Sequence, residues 1–153
     1  MSTSLSSPYM ELALAAAQEA GLRGEVPVGA VLVDANSGEV IVSEGNRVLE
    51  LKDPTAHAEL LAIREAARLT KSERLNGFDL YVTLEPCPMC AQAISFARIR
   101  RLYFGASDEK GGGVENGPRI FTASSCHHKP DVYGGIMESL SVKLLRDFFR
   151  KRR

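Results

Sequence analysis

The sequence predicts one α/β domain in which helices cover both faces of a single sheet. Three observations carry this. Short β-branched apolar runs alternate with stretches of helical spacing along the whole chain. The 153 residues suffice for one domain with a real core. The composition, 44% hydrophobic and 25% charged, is that of an ordinary folded protein and excludes disordered and fibrous classes. No repeat or low-complexity linker divides the chain. A single domain over 1–153 is therefore expected, with 1–7 flexible and 137–153 a helix with a basic end.

Ser7-Pro8 places a capping residue before a proline at the first helical position. Tyr9 to Ala20 continues that helix, and Gly21 and Gly24 are its expected stop. Val28 to Val33 is apolar and β-branched, as a buried strand would be. Asn36-Ser37-Gly38 reads as a turn into a second strand, Val40 to Glu44. Asp53-Pro54-Thr55 precedes a helix from about Ala56 to Leu69, with Leu60, Ile63 and Ala67 on one face. Leu80 to Leu84 is a short strand, and Pro86 begins a helix carrying Ile94 and Phe96. Arg101 to Gly105 is a fourth strand. Residues 106–136 read as mostly loop, with room for a short fifth strand or a helical turn. Met137, Leu140, Leu144, Leu145 and Phe148 then keep helical spacing to the C-terminus.

Charge and cysteine usage narrow the class. Lys plus Arg and Asp plus Glu both number 19, so net charge gives no support to a nucleic-acid partner. The tail is different: residues 137–153 hold six basic side chains against two acidic ones. Such a tail can contact phosphates, although a solvated helix end has the same composition. No apolar run approaches a bilayer span, and no secretory signal is visible, so neither a membrane nor secretion is expected. Three cysteines, one pair of them close, argue against a disulfide framework and for a metal or redox site in a reducing compartment. The expected location is the cytoplasm.

Two local features carry chemistry. His57-Ala58-Glu59 opens one predicted helix, and Pro86-Cys87-Pro88-Met89-Cys90 joins a strand to the next. One imidazole and two thiolates make three zinc ligands. Structural zinc sites close with four protein ligands, whereas catalytic ones leave a position for water. Helix N-termini favour thiolate over thiol, and the two residues between Cys87 and Cys90 let both sulfurs face one side. Glu59 points elsewhere on its turn and is free to move a proton from an activated water. Taken singly these features are weaker. C-x-x-C after a strand is also a thioredoxin-like redox context, and a lone His or Glu in a helix is ordinarily structural. Together, H-x-E with P-C-x-x-C about 30 residues later form the signature of zinc nucleobase deaminases, the tRNA enzyme among them.

At this point the chain resembles the bacterial tRNA adenosine deaminases, a branch of the cytidine deaminase-like superfamily. The resemblance runs from about Tyr9 to Arg150. It is carried by EVPVGAVLV (Glu25–Val33), GNR (Gly45–Arg47), DPTAHAEL (Asp53–Leu60), LYVTLEPCPMC (Leu80–Cys90), FGASDEKGG (Phe104–Gly112) and the ending LLRDFFRKRR (Leu144–Arg153). It implies a three-layer α/β/α fold with a central five-stranded mixed sheet. A homodimer is also implied, with one zinc per subunit and no organic cofactor. The implied reaction is hydrolytic deamination of the wobble adenosine of a tRNA anticodon, in tRNA-Arg, to inosine with release of ammonia. Glu59 would be the catalytic proton carrier, and His57, Cys87 and Cys90 the metal ligands. Asn46 would hydrogen-bond the flipped nucleoside and Val28 would wall the base. The backbone near Ala58, Leu84, Glu85 and Pro86 would position base and water. Asp108 and Lys110 would lie on an RNA-contacting loop. Phe148, Phe149 and Arg150 would lie on the helix touching the anticodon stem-loop, with Phe149 the better placed for exposure.

Each of these residues also has an ordinary structural reading: Asn46 in a turn, Val28 and Phe148 in the core, Asp108 and Lys110 as loop charge. Ser107 departs from the larger, often basic, residue of the family, which puts one RNA contact in doubt. Cys126-His127-His128 reads as packing or RNA contact, with a second metal site as the alternative. Three competing functions remain open at this level: a deaminase of free guanine, cytosine or deoxycytidylate, a non-catalytic RNA-binding or zinc-stabilised module, and a redox protein. The basic, aromatic C-terminus favours a polymer substrate, and Glu59 favours catalysis over binding alone.

Overall fold

The computed structural model describes residues 7–152. The elements are α1 (Pro8–Leu22), β1 (Gly29–Asp34), β2 (Val40–Gly45), α2 (Val48–Leu51), α3 (Ala58–Thr70), β3 (Phe78–Leu84), α4 (Pro88–Ala97), β4 (Arg101–Ala106), a 3₁₀ turn (Ile120–Thr122), β5 (Asp131–Tyr133) and α5 (Glu138–Lys151). The expected flexibility of residues 1–6 and the final basic Arg153 lie outside the described residues. Ser7 is fixed: its hydroxyl accepts the Met10 N–H and caps α1.

The strands form one mixed sheet in the order β2-β1-β3-β4-β5. β1 pairs antiparallel with both β2 and β3, while β3, β4 and β5 run parallel. β1 lies inside the sheet and is buried through its first five residues, as its unbroken apolar run requires. Two clusters mark the two faces. Leu80, Val82, Leu102 and Phe104 pack under α3 and α4, and Val31 and Val33 pack under Met10, Ala13 and Leu14 of α1, with Leu144 of α5 beside them. The three-layer arrangement is therefore as expected. Gly29 lets α1 lie against β1, because any Cβ there would strike the Ala13 carbonyl and the Ala17 N–H.

Strand direction positions the site. β2, β3 and β4 all end on one edge of the sheet, so Asn46, Glu85 and Ser107, each the next residue in the chain, gather there. The N-termini of α3 and α4 start from the same edge. Crevices at the carboxyl ends of parallel strands are where open α/β sheets bind ligands.

Several expectations need correction. α1 runs through Gly21 to Leu22, and the chain leaves it by way of Gly24, whose φ is +92°. α4 begins at Pro88, not Pro86, so Cys87 is its cap residue. α3 buries Ala58, Glu59, Ala62, Ile63 and Ala66; Leu60 and Ala67 are only partly covered. The face is turned because small alanines and a buried carboxylate join Ile63 against the sheet in place of Leu60. Phe96 on α4 and Leu140 on α5 are 73% and 49% exposed. Residues 106–136 contain both the helical turn and the short strand β5.

Candidate metal centre and substrate cavity

His57 and Cys87 occupy equivalent places, as the N-cap residues of α3 and α4. Neither side chain caps its own helix, so both are free to turn toward one another. Cys90 lies one turn into α4 and is fully buried. The Nδ1 of His57 stands 3.6 Å from the sulfur of Cys87 and 3.6 Å from that of Cys90. Zinc–nitrogen bonds of about 2.0–2.1 Å and zinc–sulfur bonds of about 2.3 Å, at a tetrahedral angle, put N and S about 3.6 Å apart. The three residues therefore fit zinc, and they are the one such cluster of three ligands among the described residues.

The electrostatics agree. A hydrogen bond from the Cys90 thiol draws Cys87 down to about 4, against its burial, and the His57 ring assists. The same hydrogen bond, with burial, pushes the Cys90 thiol up. His57 is raised, chiefly by its hydrogen bond with Cys87. Protons are thus crowded at the point where three ligand atoms converge, and a cation there would displace them.

A cavity of about 500 Å³ opens beside these ligands. Glu59 borders it and is 4% exposed. Burial pushes its carboxyl up to about 7, so one protonation state does not dominate near neutrality. Asn46 borders it from the end of β2. Its side-chain oxygen accepts the Ala58 N–H at 2.8 Å, which orients the amide and keeps its NH₂ out of that bond. Val28 and Leu84 supply apolar wall. Ala58 and Pro86 are buried and do not line the cavity.

Two buried carboxylates hold the cavity's flanks. Glu25 accepts the N–H groups of Leu49 and Glu50 and so caps the four-residue α2 from outside. Glu85 accepts from the segment 107–116, including the Asp108 N–H at 3.0 Å. Burial opposes its ionisation, but these donors hold the carboxyl below its usual range. The side chain is spent on that segment and the backbone N–H on the Ala106 carbonyl at 2.8 Å, leaving the Glu85 carbonyl as the part available to a ligand.

The remaining candidates divide. Asp108 lines the cavity, whereas Lys110 is exposed beyond it. Phe149 is 49% exposed and, like Arg150, is not part of the cavity wall. Phe148 and Arg152 reach it instead, with the Arg152 guanidinium 3.7 Å from the Phe148 ring centroid. The sequence reading missed Arg152 and Glu25. The four-residue spacing from Phe148 was the available signal for Arg152. Glu25 heads the EVPVGAVLV motif, but its capping role was hidden because its partners lie 24 and 25 residues away. Cys126 and His128 are packing residues. The Cys126 thiol lies 3.1 Å from the His128 carbonyl, and His128 Nε2 lies 2.6 Å from the Ile99 carbonyl.

Residues 3–106 match the family described as the cytidine and deoxycytidylate deaminase zinc-binding region. The chain is 61% identical over 145 residues to a tRNA-specific adenosine deaminase of Agrobacterium fabrum, covering 95% of this chain and 94% of that protein. A solved structure from a study of A-to-I editing by tRNA:A34 deaminases is 61% identical, with a TM-score of 0.87 over 90% of this chain and 98% of its own. A guanine deaminase from Nitrosomonas europaea shares the fold at 22% identity, with a TM-score of 0.80 over 94% and 85% of the two chains.

Proposed function

The chain belongs to the zinc-binding deaminase family, within its tRNA-specific adenosine deaminases, and we propose that it converts the wobble adenosine of the tRNA-Arg anticodon to inosine. The observation that carries this is the meeting of three zinc ligands, a buried Glu59 and the Asn46 amide at one cavity.

His57, Cys87 and Cys90 would hold the zinc ion, which would supply a water that loses its proton near neutral pH. Everything else falls to the chain. The cavity accepts an adenine turned out of its strand, with Val28 and Leu84 against the ring and the Asn46 NH₂ directed at the nucleoside. Glu59 takes a proton from the attacking water and gives it to the ring nitrogen N1 as the C6–O bond forms. It then carries the proton of the new C6 hydroxyl to the exocyclic amine, the C6–N bond breaks, the C6–O bond becomes the carbonyl, and ammonia leaves. Asp108 and Phe148 border the opening, where the neighbouring nucleotides would pass. Lys110, Phe149 and Arg150 lie farther out, where they would meet the rest of the anticodon stem-loop.

We also infer a homodimer, which the exposed Phe96 on α4 supports. A tRNA substrate and three free thiols favour the cytoplasm. Among the described residues no helix is long and apolar enough to cross a membrane.

Incubation with an anticodon stem-loop carrying a wobble adenosine, scored for inosine, tests the reading. Turnover of the stem-loop far above that of free adenosine or guanine is expected. Equal rates on free bases would transfer the assignment to a small-molecule deaminase.

A further inference from the structure

Glu85 is 2% exposed, and its carboxylate carries an unusual load. Oε1 accepts from the Asp108 N–H at 3.0 Å, the Asn116 side-chain amide at 2.7 Å and the Ser107 hydroxyl at 3.4 Å. Oε2 accepts from the N–H groups of Val114, Glu115 and Asn116 at 3.1, 2.8 and 3.0 Å. All six donors belong to one segment, 107–116, which has neither helix nor strand to hold it. The fit is close on the other side too. A Cβ on Gly112 would stand 2.5 Å from Glu85 Oε2, and one on Gly113 would stand 2.5 Å from the Pro88 nitrogen.

Only a carboxylate suits this place, because it offers two acceptor oxygens and no donor. The segment it gathers brings Asp108 and Gly111 to the cavity, which Val48 and Leu49 also line. We infer that Glu85 is a positioning residue for the RNA strand. It folds segment 107–116 around itself and so sets where Asp108 meets the nucleotides beside the target base. Its effect falls on substrate binding and leaves the reacting atoms alone. Ser107 fits the same account. A serine there joins the knot, its hydroxyl also accepting from the Asn116 amide at 3.0 Å.

This inference rests on the tRNA reading above, and its test separates the two. Glu85→Gln turns one acceptor into a donor facing N–H groups, and Asn116→Ala removes one strand of the knot with less risk to folding. Both variants should keep one zinc per chain and show faster amide exchange confined to 107–116. Both should raise KM for the stem-loop, about tenfold for Glu85→Gln, with kcat within about threefold. Glu85→Asp should recover part of the KM loss. A normal KM with a loosened segment would overturn the inference. So would a fall in kcat at unchanged KM, or loss of zinc, since either places Glu85 at the reacting centre. If Glu85→Gln does not fold, Asn116→Ala decides by the same readouts. If the unmodified chain is inert on the stem-loop, the substrate reading fails, and amide exchange still decides whether Glu85 anchors the segment.

Discussion

The side-chain oxygen of Asn46 accepts the backbone N–H of Ala58 at 2.8 Å, so one residue both faces the substrate cavity and fixes the turn that carries Glu59. These roles separate by substitution. Asn46→Ala leaves a buried N–H without an acceptor, at a cost of about 1–3 kcal/mol. Asn46→Asp keeps the acceptor and loses the NH₂ donor. Both variants should lose turnover, and only the alanine variant should lose that much stability in urea unfolding. Wild-type turnover in Asn46→Asp would remove Asn46 from substrate recognition.

Glu59 sits two residues from a metal ligand, yet it belongs to the cavity and not to the ligand cluster. Glu59→Gln preserves shape and removes the proton carrier. Zinc content and RNA affinity should remain, while turnover falls by about 10²–10⁴ fold or more. An unfolded or zinc-free variant would mean that the carboxylate is structural.

Much of this arrangement is legible in the sequence where the causes are local. Ser7-Pro8 announces α1, and the apolar run before Asp34 announces a buried strand. The metal ligands are legible for the same reason. Each sits on a helix N-terminus set by its own neighbours, and the Cys87–Cys90 spacing is one turn.

What escapes the sequence depends on partners far along the chain. α2 has four residues and no cap of its own; Glu25 supplies one from 24 residues away. Segment 107–116 has no periodicity because four of its backbone N–H groups go to Glu85 and others to Asp108 and Pro86 instead of a ladder. The buried face of α3 is only partly given by hydrophobic spacing: Ile63 is buried as its pattern predicts, but Glu59 and the small Ala58, Ala62 and Ala66 are buried where the pattern favours Leu60 and Ala67.

Zinc should be present at one ion per chain when the protein is purified without chelator. Cys126→Ser should keep that stoichiometry, since the Cys126 sulfur is engaged with Ser95 and the His128 carbonyl. Cys90→Ser should lower it sharply. Chelation should abolish activity and lower the melting temperature, and added zinc should restore both. A second equivalent of zinc that disappears with Cys126→Ser would overturn the packing assignment.

Arg150 and Phe149 are exposed next to one another on α5 and should report on RNA in different ways. Arg150→Ala should weaken stem-loop binding and reduce the slope of log affinity against log salt by about 0.7–0.9, the share of one phosphate. Phe149→Ala should weaken binding without changing the slope, as expected for lost stacking on a base. Identical salt slopes for Arg150→Ala and wild type would mean that Arg150 meets no phosphate.

On the α1 face of the sheet, Tyr81 is expected to shape behaviour in alkali. Its ring stacks on Tyr103 at 4.4 Å and meets Tyr9 at 5.2 Å. Burial first, then Tyr103 and Asp79, push its phenol well above the ordinary value of 10.0. The native state therefore keeps this proton after the unfolded chain has released it. Above that point the unfolded state binds fewer protons, so stability falls as pH rises. The contribution is complete below about pH 10 and is lost upward from there, through the raised native value. Tyr81→Phe keeps the stack and removes the ionisation. Between about pH 9 and 11 the urea midpoint should fall more steeply for wild type than for Tyr81→Phe. Parallel curves would show that Tyr81 ionises alike in both states and that its packing leaves the phenol open to water.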